Sequence, residues 1–106
     1  MASATIHSGI CGFTTTVRAQ LDDLGCTVTI ESDCESIRRL ATELIQVDPF
    51  REITFWGEGP LTLELAAKHC HHPACPVPVG IIKAIEVAAG LALPVDPVIK
   101  ISRADA

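Results

Sequence analysis

The sequence predicts an α+β fold of two layers, a mainly antiparallel sheet opening as a β-meander with about three helices packed on one face. Three observations carry that prediction. The first third of the chain alternates apolar and polar residues with period two, the later segments switch to helical spacing, and turn-forming residues separate the runs. The order reads β-β-β-α-β-α-α-β, and 106 residues without a linker, repeat or low-complexity stretch make one domain, 1–106.

Residues 4–8 form a short first strand, joined to the next by the loop Gly9-Ile10-Cys11-Gly12. From Phe13 the alternation is clear: Phe13, Thr15, Val17, Ala19 and Leu21 on the core side, and Thr14, Thr16, Arg18 and Gln20 on the other. Asp22-Asp23-Leu24-Gly25 supplies a turn. Cys26, Val28 and Ile30 then alternate with Thr27, Thr29 and Glu31, which closes a hairpin.

Ser32-Asp33-Cys34-Glu35 matches a capping box, with Ser at the N-cap and Glu three residues on. Behind it Ile37, Leu40, Ala41, Leu44 and Ile45 line one helical face, and Asp48-Pro49 ends the helix. Residues 52–56 alternate as a strand. The turn Gly57-Glu58-Gly59-Pro60 leads into a second helix over 61–71, stopped by Pro73. A third follows Pro78, with Gly90 suited to its C-terminal cap, and residues 98–101 make a last short strand.

Composition closes several function classes. Eight basic against 13 acidic residues give a formal charge of −5, the wrong sign for a phosphate-backbone binder, and 4% aromatics leave no base-stacking platform, so no nucleic-acid partner is expected. The most apolar tract, residues 77–95, is broken by Lys83, Glu86, Pro78 and Pro94, and no run reaches the ~20 apolar residues of a membrane span, so no membrane partner is expected either. The first ten residues lack the basic and apolar regions of a secretory signal. Five cysteines, an odd number, cannot close a disulfide framework; reduced thiols and a cytoplasmic location follow. A hydrophobic fraction of 48% and a mean hydropathy of +0.37, concentrated after residue 76, point to a buried helix or a homo-oligomer interface. P-loop, dinucleotide-turn and nucleophile-elbow patterns are all missing, and Asp22-Asp23 belongs to turn chemistry.

The thiols and imidazoles hold the remaining chemistry. Cys34, at a helix start, sits where unpaired amides and the positive dipole end stabilise a thiolate, but it also falls on the apolar stripe with Ile37 and Ala41. Cys75, in Ala74-Cys75-Pro76-Val77-Pro78, precedes another helix start. Cys11 lies between Gly9 and Gly12, with parity matching core-facing Phe13 and Val17. Cys26 shares its phase with Val28 and Ile30 and reads as core. Cys70 belongs to the dense run Lys68-His69-Cys70-His71-His72-Pro73-Ala74-Cys75. There His69 and His72 share a face if the helix persists, or they simply cap it electrostatically. Cys70-x4-Cys75 is not the Cys-x2-Cys of a zinc ribbon. His7, four residues before Cys11, either faces the same side as that thiol or is an exposed strand residue.

The runs His7-Ser8-Gly9-Ile10-Cys11-Gly12-Phe13, Ser32-Asp33-Cys34-Glu35, Cys75-Pro76-Val77-Pro78, Lys83-Ala84-Ile85-Glu86-Val87-Ala88 and Gly90-Leu91-Ala92-Leu93-Pro94 resemble a small single-domain prokaryotic family, common in anaerobes, with no assigned activity. That resemblance covers most of the chain and implies only that Cys11, Cys34 and Cys75, rather than Cys26, carry function.

The leading expectation is a zinc or iron–sulfur site whose ligands come from Cys11, Cys34 and Cys75, completed from His7, Cys70 and His69. The alternatives are a thiol-redox protein with a low-pKa cysteine, resolved through Cys70 or Cys11, and a non-catalytic homo-oligomeric interaction module in which the cysteines are incidental.

Overall fold

The computed structural model describes residues 1–104. Period-two patterning produces strands β1 (Ala2–His7), β2 (Thr14–Asp22) and β3 (Gly25–Ser32), which pair antiparallel in sequence order. The β2–β3 register runs from Asp22↔Gly25 to Thr15↔Ser32, leaving Asp23 and Leu24 as the turn. Asp22 holds that turn: its carboxylate accepts from the Leu24 amide at 2.9 Å and the Thr27 hydroxyl at 2.6 Å. Both bonds favour the charged form, so the carboxyl sits below its ordinary value, chiefly through Thr27.

The helices are α1 (Glu35–Glu43), α2 (Pro49–Glu52), α3 (Leu61–His69) and α4 (Val77–Ala88), with the two-residue strand β4 (Gln46–Val47) between α1 and α2. Thr15, Val17 and Ala19 of β2 and Cys26 and Val28 of β3 are buried on one face of the sheet. Ile37, Leu40 and Leu44 of α1, Leu65 of α3 and Val77, Ile81 and Ile85 of α4 close the core over that face. The opposite face carries Arg18 and Thr29 to solvent, so the architecture is the α+β two-layer fold that the patterning predicts. Gly90, with φ +73°, follows the last helical turn; its amide bonds Val87 O at 3.1 Å and that of Leu91 bonds Glu86 O at 2.8 Å, a double closure that the glycine permits.

Several expectations are corrected. The strand over 52–56 does not form. Asp48-Pro49 starts a helix rather than ending one, because Asp48 caps α2 by accepting from the Phe50 amide and proline fits the first helical position. Glu52, at the end of α2, turns inward to 1% exposure, while Phe55 and Trp56 point outward. The sheet's fourth strand is Gln46–Val47, paired through Cys26↔Val47 and Thr27↔Gln46. Residues 98–101 pair with nothing among the described residues. Among the described residues there are four helices, not three, and α3 stops at His69 rather than at 71. Ser32 is not the N-cap of α1; that position is Cys34, and the Ser32 hydroxyl instead accepts from the Cys34 amide at 3.1 Å. Phe13, read as core-facing, is exposed, as are Leu21 and Ile45, each at or just beyond the end of its element.

Candidate functional site

The site is built at one end of the sheet, and pairing explains why. The Thr15↔Ser32 pair and the β1–β2 pair His7↔Thr14 lie at that end, so the loop over residues 9–12 and the junction from β3 into α1 emerge side by side. Gly80 in the first turns of α4 packs on Ile6, one residue before the end of β1, which brings the start of α4 to the same place. Cys11, Cys34 and Cys75 belong to those three emergences. The C-terminus of α3 supplies Cys70, the residue that caps it and donates its amide to Ala66 O at 2.8 Å.

Cys34, Cys70 and Cys75 are free thiols, each partly buried and packed against the core. Cys70 is within electrostatic reach of the other two. Its thiol is pushed up first by burial and then by the neighbouring Cys75 and Cys34, against a smaller opposing pull from Arg39. A hydroxyl relay fixes the Cys34 backbone: buried Thr15 Oγ1 and Ser32 Oγ are 2.8 Å apart, and Ser32 Oγ receives the Cys34 amide. The carbonyl of Cys34 takes the first helical bond, from Arg38 N at 2.9 Å. Cys75 is held by its amide on His72 O at 3.2 Å and by the following Pro76, the N-cap of α4.

The other expected ligands sit differently. Cys11 is exposed on the 9–12 loop beside a fully exposed Ile10, not on the core side. Gly9 and Gly12 take φ +84° and +74° and have open space around them, the backbone freedom that this tight loop needs. His7 points to the solvent face of β1, with Nδ1 3.0 Å from Thr14 Oγ1. His69 is engaged through Nε2 by Glu43, whose carboxyl is lowered chiefly by that bond and then by Lys68. His71 and His72 are exposed. Cys26 is a core residue, and burial raises its thiol. Among the described residues, no three His, Cys, Asp or Glu side chains stand close enough together to hold a metal ion.

The sequence therefore grouped Cys11 with Cys34 and Cys75, whereas Cys70 joins Cys34 and Cys75 as thiols partly buried against the core and Cys11 is exposed on a loop at the same sheet end. The five-residue step from Cys70 to Cys75 across Pro73 was the available signal, since it cannot carry the chain far from the end of α3.

The family model of DUF6951, a family of unknown function, matches residues 2–101. The chain belongs to this family. The DUF6951 match starts with β1, spans all five cysteines and extends past α4 to Ile101. No curated protein and no solved structure matches the chain. Among the described residues no helix is long and apolar enough to cross a membrane.

Proposed function

We propose that this protein binds a thiophilic metal centre, Zn2+ or an iron–sulfur cluster, through Cys34, Cys70 and Cys75, with Cys11 as fourth donor. The observation that carries the reading is the placement of Cys34, Cys70 and Cys75, each partly buried against the same core, at the start of α1, the end of α3 and the start of α4. Burial and the neighbouring Cys75 and Cys34 disfavour ionisation of the Cys70 thiol, and a bound cation reverses that sign by favouring the thiolate. Thiolate sulfur suits zinc and iron–sulfur clusters above oxygen-seeking cations.

Binding requires the thiols to approach one another, since no three such side chains already stand close enough together among the described residues. Cys11 suits the fourth place better than histidine does, since His69 is held by Glu43 and His7 faces away. The raised Cys70 thiol carries its proton at neutral pH, so binding releases that proton and affinity rises with pH. The same raised thiol argues against a redox nucleophile at Cys70, because the attacking species is the thiolate.

The test is metal analysis and native mass spectrometry of protein purified without oxygen. A stoichiometric metal or cluster is expected, and it is lost in Cys34→Ser, Cys70→Ser and Cys75→Ser variants that keep their circular dichroism. A chain that emerges metal-free and takes up less than one equivalent of Zn2+, Cd2+ or reconstituted cluster overturns the reading.

A further inference from the structure

We infer that residues 95–101 of one chain add as a fifth strand to the open edge of β1 in a second copy, reciprocally, giving a strand-exchanged dimer. Each copy carries one unpaired strand-forming segment and one unprotected sheet edge, and the two fit each other.

The donor is the segment after α4. Val95, Val98, Ile99 and Ile101 are 72–90% exposed. Among the described residues the backbone from 92 onward makes a single hydrogen bond, Val95 N to Leu93 O at 2.9 Å. Valine and isoleucine favour strands, and so much exposed aliphatic surface is costly to leave uncovered. The DUF6951 match reaches residue 101, so this segment is part of the family's unit rather than an appendage. The molecule measures 54 Å along its longest axis against 28 and 26 Å across.

The acceptor is β1, the first strand of the order β1-β2-β3-β4, with its outer backbone groups unpaired among the described residues. Sheet edges are ordinarily guarded by proline, charge or a bulge. β1 reads Ala-Ser-Ala-Thr-Ile-His, with no proline and no Lys, Arg, Asp or Glu. The sheet is also one strand short on its covered side: Ala2, Ala4 and Ile6 stay half-buried, while their direct partners Ala19, Val17 and Thr15 are fully buried. A strand laid beside β1 places Ile99 and Ile101 on one face with Pro97, beside those half-buried residues. Pro97 lacks an N–H, which an added outermost strand tolerates because that side faces solvent. Exchange in both directions makes a closed two-fold contact.

The test compares the full chain with a chain ending at Pro94 and with an Ile99→Asp, Ile101→Asp variant, by light scattering and amide exchange. Expected are a dimer mass for the full chain with slowed exchange in β1 and at 98–101, and a folded monomer for both altered chains with β1 exchange restored. A full chain that is monomeric at the highest concentration reached overturns the inference, as does a dimer that survives truncation. Slowed exchange at 98–101 in a monomer overturns it too, since the segment would then pair within its own chain. Metal-free protein gives the same readout, so failure here is distinct from failure of the thiol site.

Discussion

Gly80 of α4 and Ile6 of β1 share one space: a Cβ on residue 80 would stand 2.4 Å from Ile6 Cγ1 and 2.6 Å from its Cδ1. Glycine in the middle of a helix loses about 0.5–1 kcal/mol against alanine, so its position here is explained by what it admits. The contact lets α4 lie down on the end of β1, and so sets Pro76 and Cys75 at the sheet end where β3 passes into Cys34.

Gly80→Ala is therefore destabilising although alanine favours the helix. Overpacking costs about 1–3 kcal/mol against a propensity gain below ~1 kcal/mol, leaving a net loss of about 0.5–2 kcal/mol in urea unfolding. Ile6→Ala in the same chain removes both clashing carbons, so the double variant loses less than the sum of the singles. Additive losses would show that the helix does not seat on Ile6.

Glu52 caps a helix from outside it. Its carboxylate accepts from the Leu61 amide at 2.9 Å, from the Thr62 amide at 2.8 Å and from the Thr62 hydroxyl, at 1% exposure. Pro60, the N-cap of α3, has no side chain able to do this. Glu52→Gln turns an acceptor pair into one acceptor and one donor facing buried N–H and O–H groups, and costs about 1.5–3 kcal/mol in thermal or urea unfolding. An unchanged midpoint would mean that the carboxylate does not cap α3.

Acid stability depends on Asp22. Its folded carboxyl lies below 3.8, so the charged form's contribution is present above the unfolded value and disappears as pH falls through the folded one. The stability gap between the native chain and Asp22→Asn is therefore constant above about pH 5 and closes below about pH 4. A gap that persists into strong acid would assign the effect to shape instead of charge.

Much of the fold was legible because local chemistry and tertiary packing agree there. The hairpin of β2 and β3 has alternation, a turn and a glycine at matching places, and α1 has its stripe at Ile37, Leu40 and Leu44. Reading failed where one residue serves a distant partner. Glu52 looks like the polar member of a strand until α3 stands over it, and Asp48-Pro49 signals both the end of one helix and the start of another. The 98–101 run has strand composition but no partner within the described chain. At the candidate site, the helix starts placed Cys34 and Cys75 correctly along the chain. Beyond the short step from Cys70 to Cys75, the burial of Cys70 against the same core as Cys34 follows from how α3 packs beside α1 and α4, which no local pattern encodes.

The central claim, that Cys34, Cys70 and Cys75 are one thiolate site, is tested most directly by titrating the reduced protein with Co2+ and following the sulfur-to-cobalt charge-transfer band. The account predicts saturation at one equivalent, tighter binding as pH rises, a weaker band in Cys34→Ser, Cys70→Ser and Cys75→Ser, and an unaltered one in Cys26→Ser. No charge-transfer band, or one that is indifferent to Cys70, would contradict it.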